Sequence, residues 1–539
     1  MNPPPLRRAS LLLAAALSLL AVGCGAGARP ARANSALASM MMDDDALVYT
    51  TPNRRAAVLD AMRKLGVQGI RVTVSWKFLA GDLARRPARL RGNRAASPAG
   101  YSPRLWNNFD HLIEAAYGDG LFVLFNVTGP GPSWAQGRAP FTRRFDQPAW
   151  KPNAAAFGQF VQAVATRYSG SYHDENDQHR LLPRVTLWSV WNEPDQPASL
   201  APQMDYSRLL HRQIPMAPIL YRELYYAASN ALRATGHGSD TILMGETAPL
   251  GALRHTPRVH LWPKLFLREM FCVAPNGRPY TGLQARARRC SELQRGGPFL
   301  ISGFAHHPYA QKSPPGRPDS NPNSINLANL GDLPTLLDQL ATTTHLIPAG
   351  LPVWLTESAW ETFPPDPVHG IPLALQAAHI NVADRLAYDQ PRIVAQTQFV
   401  FRDVAPVARY RGRRSRLAQY WATWQSGLEF VNGKPKPAFT AYAMPLDIYP
   451  VSGPTSDGGR DVRAWGQLRF LPPGQNGQVQ FQFRGAGSRQ WNNAGGPMTV
   501  PGPVHFYDLR LHASAPGVWR AVTYSPGFPV VSREISVSF

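Results

Sequence analysis

Trp188-Ser189-Val190-Trp191-Asn192-Glu193-Pro194 and Leu351-Pro352-Val353-Trp354-Leu355-Thr356-Glu357 are two apolar runs, and each ends on a glutamate. A run of this kind that stops at polar or charged residues reads as a buried strand ending where a functional loop begins. Two carboxyl groups delivered from two strand ends can share one reaction centre. Cleavage of a glycosidic bond with retained configuration needs such a pair. One carboxyl protonates the leaving oxygen, and the other, roughly 5 to 5.5 Å away, attacks the anomeric carbon. A lone strand-end glutamate is as often a solvated cap, so the joint placement of Glu193 and Glu357 is what points to chemistry.

These side chains need a scaffold that brings distant strand ends together. Over residues 35–444 short apolar runs alternate with longer segments of helical period, the pattern of strand–helix units around a parallel sheet. Eight strands are expected: Leu37 to Met42, Gly69 to Trp76, Leu121 to Val127, Val185 to Asn192, Asp240 to Glu246, Ile301 to His306, Val353 to Glu357 and Ile393 to Arg402. In the segment Ala154 to Tyr168, Phe157, Phe160, Val161, Val164 and Tyr168 form one apolar stripe at helical spacing. Similar helices are predicted over Arg54 to Leu65, Leu105 to Tyr117, Pro218 to Ala234, Leu333 to His345, Leu373 to Tyr388 and Pro437 to Met444. The fold class is therefore α/β, a closed (β/α)8 TIM barrel with Glu193 ending strand four and Glu357 ending strand seven. Long irregular segments follow the strands, including Thr247 to Phe299, on the face where such barrels build their sites. Residues 445–539 lose the helical period and alternate in short runs, which predicts a small all-β sandwich.

Trp191-Asn192-Glu193-Pro194 together with Thr356-Glu357-Ser358-Ala359-Trp360 resembles the superfamily of retaining glycosidases built on (β/α)8 barrels (clan A), with closest flavour to the cellulase and β-xylosidase families. The resemblance covers about residues 35–444. It implies that Glu193 is the general acid/base, that Glu357 is the nucleophile, and that Asn192 bonds the sugar 2-hydroxyl. It also implies an arginine beside the nucleophile, matched by Arg71, and a His-x-Tyr after strand six, matched by His307 and Tyr309. Tyr309 ranks above His307, and His307 above His306.

Residue chemistry supports some of these roles and leaves others open. Arg71 lies inside the apolar strand Gly69 to Val74, where a charge needs a partner. Glu357 is one expected partner, and Asp43 or Asp44 is the structural alternative. A cation beside Glu357 would keep it ionised, whereas Glu193 must hold its proton until bond cleavage. Trp76, Trp134, Trp360 and Trp424 follow strand ends, where an indole either stacks on a sugar or belongs to the core; Trp134 and Trp424 are the stronger sugar-binding candidates, with Trp360 behind them. Glu246 is a second-rank candidate, for a sugar hydroxyl or for a basic partner. The expected function is an exported retaining glycoside hydrolase that cleaves a β-linked oligo- or polysaccharide by double displacement, with no metal and no organic cofactor. The alternative is a barrel that binds carbohydrate and has lost catalysis.

The net charge is +21, with 56 Lys and Arg against 35 Asp and Glu. The basic residues are mostly arginines dispersed among Ala, Pro and Gly, as in Arg85-Arg86, Arg288-Arg289 and Arg411 to Arg416, with no nucleic-acid motif. They read as a solvated surface, and no nucleic-acid partner is expected. Residues 1–34 read as an export signal and linker, with Arg7-Arg8 before an apolar run from Leu11 to Val22. Leu20 to Cys24 resembles a lipoprotein box that would lipidate Cys24, while Ala31-Arg32-Ala33 offers cleavage for full release. The expected location is thus outside the cell or on the outer face of a membrane. Cys272 and Cys290, the two other cysteines, are expected to form a disulfide in that compartment. A monomer is expected.

Overall fold

A computed structural model describes residues 37–140, 149–252, 256–472, 474–502, 504–525 and 528–539. The export segment and Cys24 lie outside these residues. Eight parallel strands close into a barrel: β1 (Ala38–Met42), β2 (Gly69–Ser75), β3 (Phe122–Thr128), β4 (Leu187–Val190), β5 (Thr241–Thr247), β6 (Gly303–His306), β7 (Val353–Ser358) and β8 (Ile393–Phe399). The ring order follows the chain, with β1 closing on β8 through the register Ala38 to Ala395 and Met42 to Phe399. Each expected strand is present within a few residues of its expected bounds.

The helices form for the reasons their patterns suggested. Ala154–Arg167 buries Phe157, Phe160, Val161 and Val164, and the Asn153 side chain caps its start by accepting from the Ala156 amide at 2.9 Å. Trp76 opens a short helix (Trp76–Ala80) and does not end β2; Ser75 caps it. The segment Thr247 to Phe299, expected to be irregular, contains three helices, Pro263–Met270, Gly282–Ala287 and Cys290–Gly296. They are too short to show a sustained helical period, and packing of Phe266, Leu267 and Met270 into the main core stabilises the first of them. Cys272 and Cys290 form a disulfide that ties this excursion together.

After the helix Pro437–Ala443 the chain becomes all-β. Leu446–Pro450, Arg460–Gln467 and Phe506–Ala513 make one antiparallel sheet, and a second is built on the pair Gly477–Gly485 and Gly517–Ser525. The sheets enclose their own core of Leu446, Val462, Val479, Phe481, Trp519 and Val537. They are joined to the barrel through the helix Leu373–Tyr388, which lies between β7 and β8. Asp384 pairs with Arg469 at 3.0 Å and Arg385 with Asp447 at 2.6 Å, while the Asn381 side-chain Oδ1 accepts from Leu446 N and Arg533 Nε.

Candidate active site

The ring order places β5 and β6 between β4 and β7. Whatever ends those two middle strands must therefore stand between Glu193 and Glu357. Glu246 is the penultimate residue of β5, and His307 follows β6.

Local backbone distortions aim these groups inward. Trp191 and Glu193 both adopt positive φ, at 69° and 42°, a conformation that costs a non-glycine residue about 1–3 kcal/mol. Surrounding bonds hold it: Trp191 N donates to Val127 O, Asn126 Nδ2 to Trp191 O at 2.7 Å, and Glu193 N to Glu246 O at 2.9 Å. On β5 the register against β6 skips Glu246, whose φ is 51°. This bulge turns the Glu246 side chain into the barrel. Gly245 beside it has φ 112°, and a Cβ there would lie 2.5 Å from Ala305 O, so only glycine fits.

One carboxylate oxygen of Glu193, one of Glu357 and a ring nitrogen of His307 all lie within 4.8 Å of one another. Glu357 accepts from Arg71 Nη1 at 2.9 Å and from the Tyr309 hydroxyl at 3.0 Å. Arg71 also reaches Glu246 at 3.2 Å and donates to Asn192 Oδ1 at 2.8 Å. Of the alternatives for Arg71, Asp43 is occupied elsewhere, accepting from the Arg402 and Ala46 amides, and Asp44 accepts from Thr73 N. The partner of Arg71 is thus Glu357, as the resemblance implied, and equally Glu246.

Glu246 is completely buried and is the hub. Its carboxylate takes Arg71, His307 Nε2 at 2.6 Å, the Ser189 hydroxyl at 2.5 Å and the Thr356 hydroxyl at 2.7 Å. Burial alone would raise its pKa, but Arg71, His307 and Ser189 together hold it down at about 2. His307 shows the reverse balance. Burial disfavours its charge, yet Glu357, Glu193 and Glu246 outweigh that and push it up to about 10, so it stands as an imidazolium donating to Glu193 Oε1 at 2.9 Å and to Glu246. For Glu357, burial is the largest influence and raises its pKa against the pull of His307 and Arg71. The cation expected to favour the ionised form is in place, but burial outweighs its pull. Three carboxyl groups face two cations here, so their titration belongs to the cluster as a whole.

A cavity of about 1090 Å³ opens above the cluster, lined among others by Asn192, Glu193, Tyr309, Glu357, Trp360 and Trp424. Arg71 and His307, expected to contact substrate, are 1% and 0% exposed and do not line it; they support the carboxyl groups from beneath. His306 is also buried, bonded to Thr247 and Ile325 O, and burial lowers it to about 3, which makes it a neutral structural residue. Asn192 lines the cavity with its Oδ1 committed to Arg71, which leaves its amide N–H groups free of protein partners among the described residues.

The tryptophans separate. Trp424 is 53% exposed, and with Phe399 and Tyr309 it makes an aromatic wall through edge-on contacts of 5.2 and 6.3 Å. Trp360 lines the cavity but is nearly buried, with its indole N–H on Ser313 O. Trp134 does not line the cavity: its ring meets Trp76 edge-on and carries the Arg86 guanidinium 4.8 Å from its centroid. Trp76 is core, packed on Phe157 and Phe160.

The sequence reading missed the polar floor of Asn126, Ser189 and Thr356. Each is a polar residue that directly follows apolar residues within its strand, a signal that the strand's inner face meets a polar cluster. It also missed Asp195, buried behind Glu193, which accepts from Ala248 N at 3.0 Å and is driven well above the carboxylate range by burial.

No protein-family model matches the chain, and no curated protein matches it. Solved structures similar to it include a family 39 glycoside hydrolase from the gut symbiont Bacteroides cellulosilyticus WH2, at 12% identity over 89% of this chain and 81% of that one, with TM-score 0.44. A GH5_18 protein from Streptomyces cattleya, solved in complex with GlcNAc, is 15% identical over 76% of this chain and 79% of that one, with TM-score 0.42. An exo-β-1,4-mannosidase from Opitutaceae bacterium strain TAV5 is 14% identical over 75% of this chain but only 58% of its own, with TM-score 0.39.

Proposed function

We propose that this protein is an exported retaining glycoside hydrolase that cleaves O-glycosidic bonds of a β-linked oligo- or polysaccharide. The observation that carries the reading is the approach of Glu193 and Glu357 to within 4.8 Å, on the floor of a cavity large enough for an oligosaccharide. That spacing suits direct attack by one carboxylate; inverting enzymes need about 6.5 to 9.5 Å to admit a water.

In the first step a Glu357 oxygen bonds to the anomeric carbon, and the carbon–oxygen bond to the leaving group breaks. Glu193 gives its proton to that leaving oxygen. In the second step Glu193 takes a proton from water, whose oxygen bonds to the anomeric carbon as the Glu357 ester breaks. Arg71 and Tyr309 hold Glu357 in place, and the free Asn192 amide is set to donate to the sugar 2-hydroxyl. The experiment is hydrolysis of a panel of aryl β-glycosides with the released anomer followed by proton NMR. The β-anomer is expected first. Initial release of the α-anomer would exclude the double displacement, and binding without turnover across the panel would leave a carbohydrate-binding protein.

Glu246 should control the site without touching substrate. Glu246→Gln removes the charge that holds Arg71 and His307 beneath Glu357 and Glu193, and the small misplacement that follows is expected to cost about 10²-fold in kcat/KM. The pH dependence of stability gives an independent reading. Because the folded-state pKa of His307 is raised, its contribution is complete below the ordinary value of 6.5 and is lost as pH rises through about 10. Without the Glu246 charge that loss moves to lower pH. Identical melting-temperature profiles for wild type and variant would remove Glu246 from control of His307.

A further inference from the structure

The segment between β8 and Trp424 carries Arg409, Arg411, Arg413, Arg414 and Arg416, all exposed. Among the described residues none of the five meets a carboxylate; Arg409 lies over the Tyr410 ring at 4.8 Å. Several arginines elsewhere are paired, as Arg402 is with Glu429 and Arg463 with Asp389 and Asp508. Like charges this close repel one another, a cost that an anionic ligand relieves.

The loop is fixed to the candidate site. Val404 N donates to Trp424 O at 2.8 Å, Val407 N to Tyr420 O at 2.9 Å, and Gln425 Nε2 to Val404 O at 2.9 Å. Trp424 and Ser426, at the foot of the loop, line the cavity. Tyr420 and Trp421 meet edge-on at 5.0 Å in the same stretch. Guanidinium groups bind carboxylate or sulfate in a bidentate fork, and aromatic rings stack on sugar faces.

We propose that this arginine loop binds an anionic polysaccharide, carboxylated or sulfated, and feeds it along the aromatic wall into the cavity. The cavity floor itself holds Glu193 and Glu357, so the anionic units sit outside the cleavage position, on the part of the polymer crossing the loop. A glycan offers sugar faces between its charges to the exposed Trp424 ring at the loop's foot, whereas a duplex keeps its bases stacked inside a phosphate exterior, which sets a glycan ahead of duplex nucleic acid. That the bound polymer is the substrate rests on the glycosidase reading; the binding does not.

The test uses the full-length protein and its Arg411→Gln/Arg413→Gln/Arg414→Gln/Arg416→Gln variant in affinity electrophoresis against polygalacturonate, dextran sulfate and neutral dextran. Retardation of the wild type by one or both anionic polymers, not by dextran, is expected, weakened by salt and about tenfold weaker in the variant. The two anionic arms tell carboxylate from sulfate. Turnover of a small neutral aryl glycoside should be unchanged in the variant. Equal retardation of both proteins, or tighter retention by duplex DNA than by either anionic polymer at the same salt, would overturn the proposal. A wild type that binds these polymers through the loop yet hydrolyses no aryl glycoside would leave it standing and refute the glycosidase reading alone.

Discussion

Glu357→Gln is expected to lower kcat on an activated aryl β-glycoside by about 10⁴-fold or more, since an amide cannot form and release the glycosyl ester. The substitution is conservative for the fold. Tyr309 can still donate to the amide oxygen, and Arg71 keeps Glu246 and Asn192, so the buried guanidinium is not stranded. An unchanged melting curve with turnover abolished is therefore the expected pair of results. Wild-type turnover in the variant would remove Glu357 from the chemistry and with it the double-displacement reading.

The second large effect is at Glu193. Removing a general acid/base costs about 10²–10⁴-fold, most for substrates whose leaving group needs a proton and least for activated aryl glycosides. Glu193→Ala should thus show a steep dependence on leaving-group acidity. Azide, a nucleophile that needs no base, should restore turnover of an activated substrate and give a β-glycosyl azide. Because Glu193 is one of two carboxylates bonded by His307, its loss leaves the imidazolium anchored on Glu246 at 2.6 Å, and the site should keep its shape. An α-glycosyl azide, or no response to azide, would contradict the assigned roles.

The barrel was legible because its strands are nearly continuous apolar runs separated by helical stripes, and burial on both faces of a parallel sheet demands that pattern. The short helices in the excursion after β5 were not, since a segment such as Gly282–Ala287 buries nothing and shows no period. At the candidate site, strand-end position singled out Glu193 and Glu357. It put Glu246 only in the second rank, because the partners that make it a hub, from Arg71 to Thr356, are spread over the chain and meet only through barrel closure. Nor could it tell Trp424 from Trp134: both follow strand ends, but one is half exposed on the cavity wall and the other lies under Arg86. The arginines after β8 looked dispersed in sequence because the sequence does not show that their loop is hydrogen-bonded to the cavity wall at Trp424.

The helix Leu373–Tyr388 has a consequence for how this chain can be taken apart. Its first end follows the strand that carries Glu357, and its flank holds the C-terminal sheets through Asp384, Arg385 and Asn381. The Asp384–Arg469 pair is almost completely shielded from water, and stripping one member from such a pair costs about 3–5 kcal/mol. The C-terminal sheets are therefore not a detachable cassette. They hold the helix that joins the Glu357 strand to β8, so a cut at residue 444 would strip Asp384 and Arg385 of their partners Arg469 and Asp447 in that part of the barrel wall.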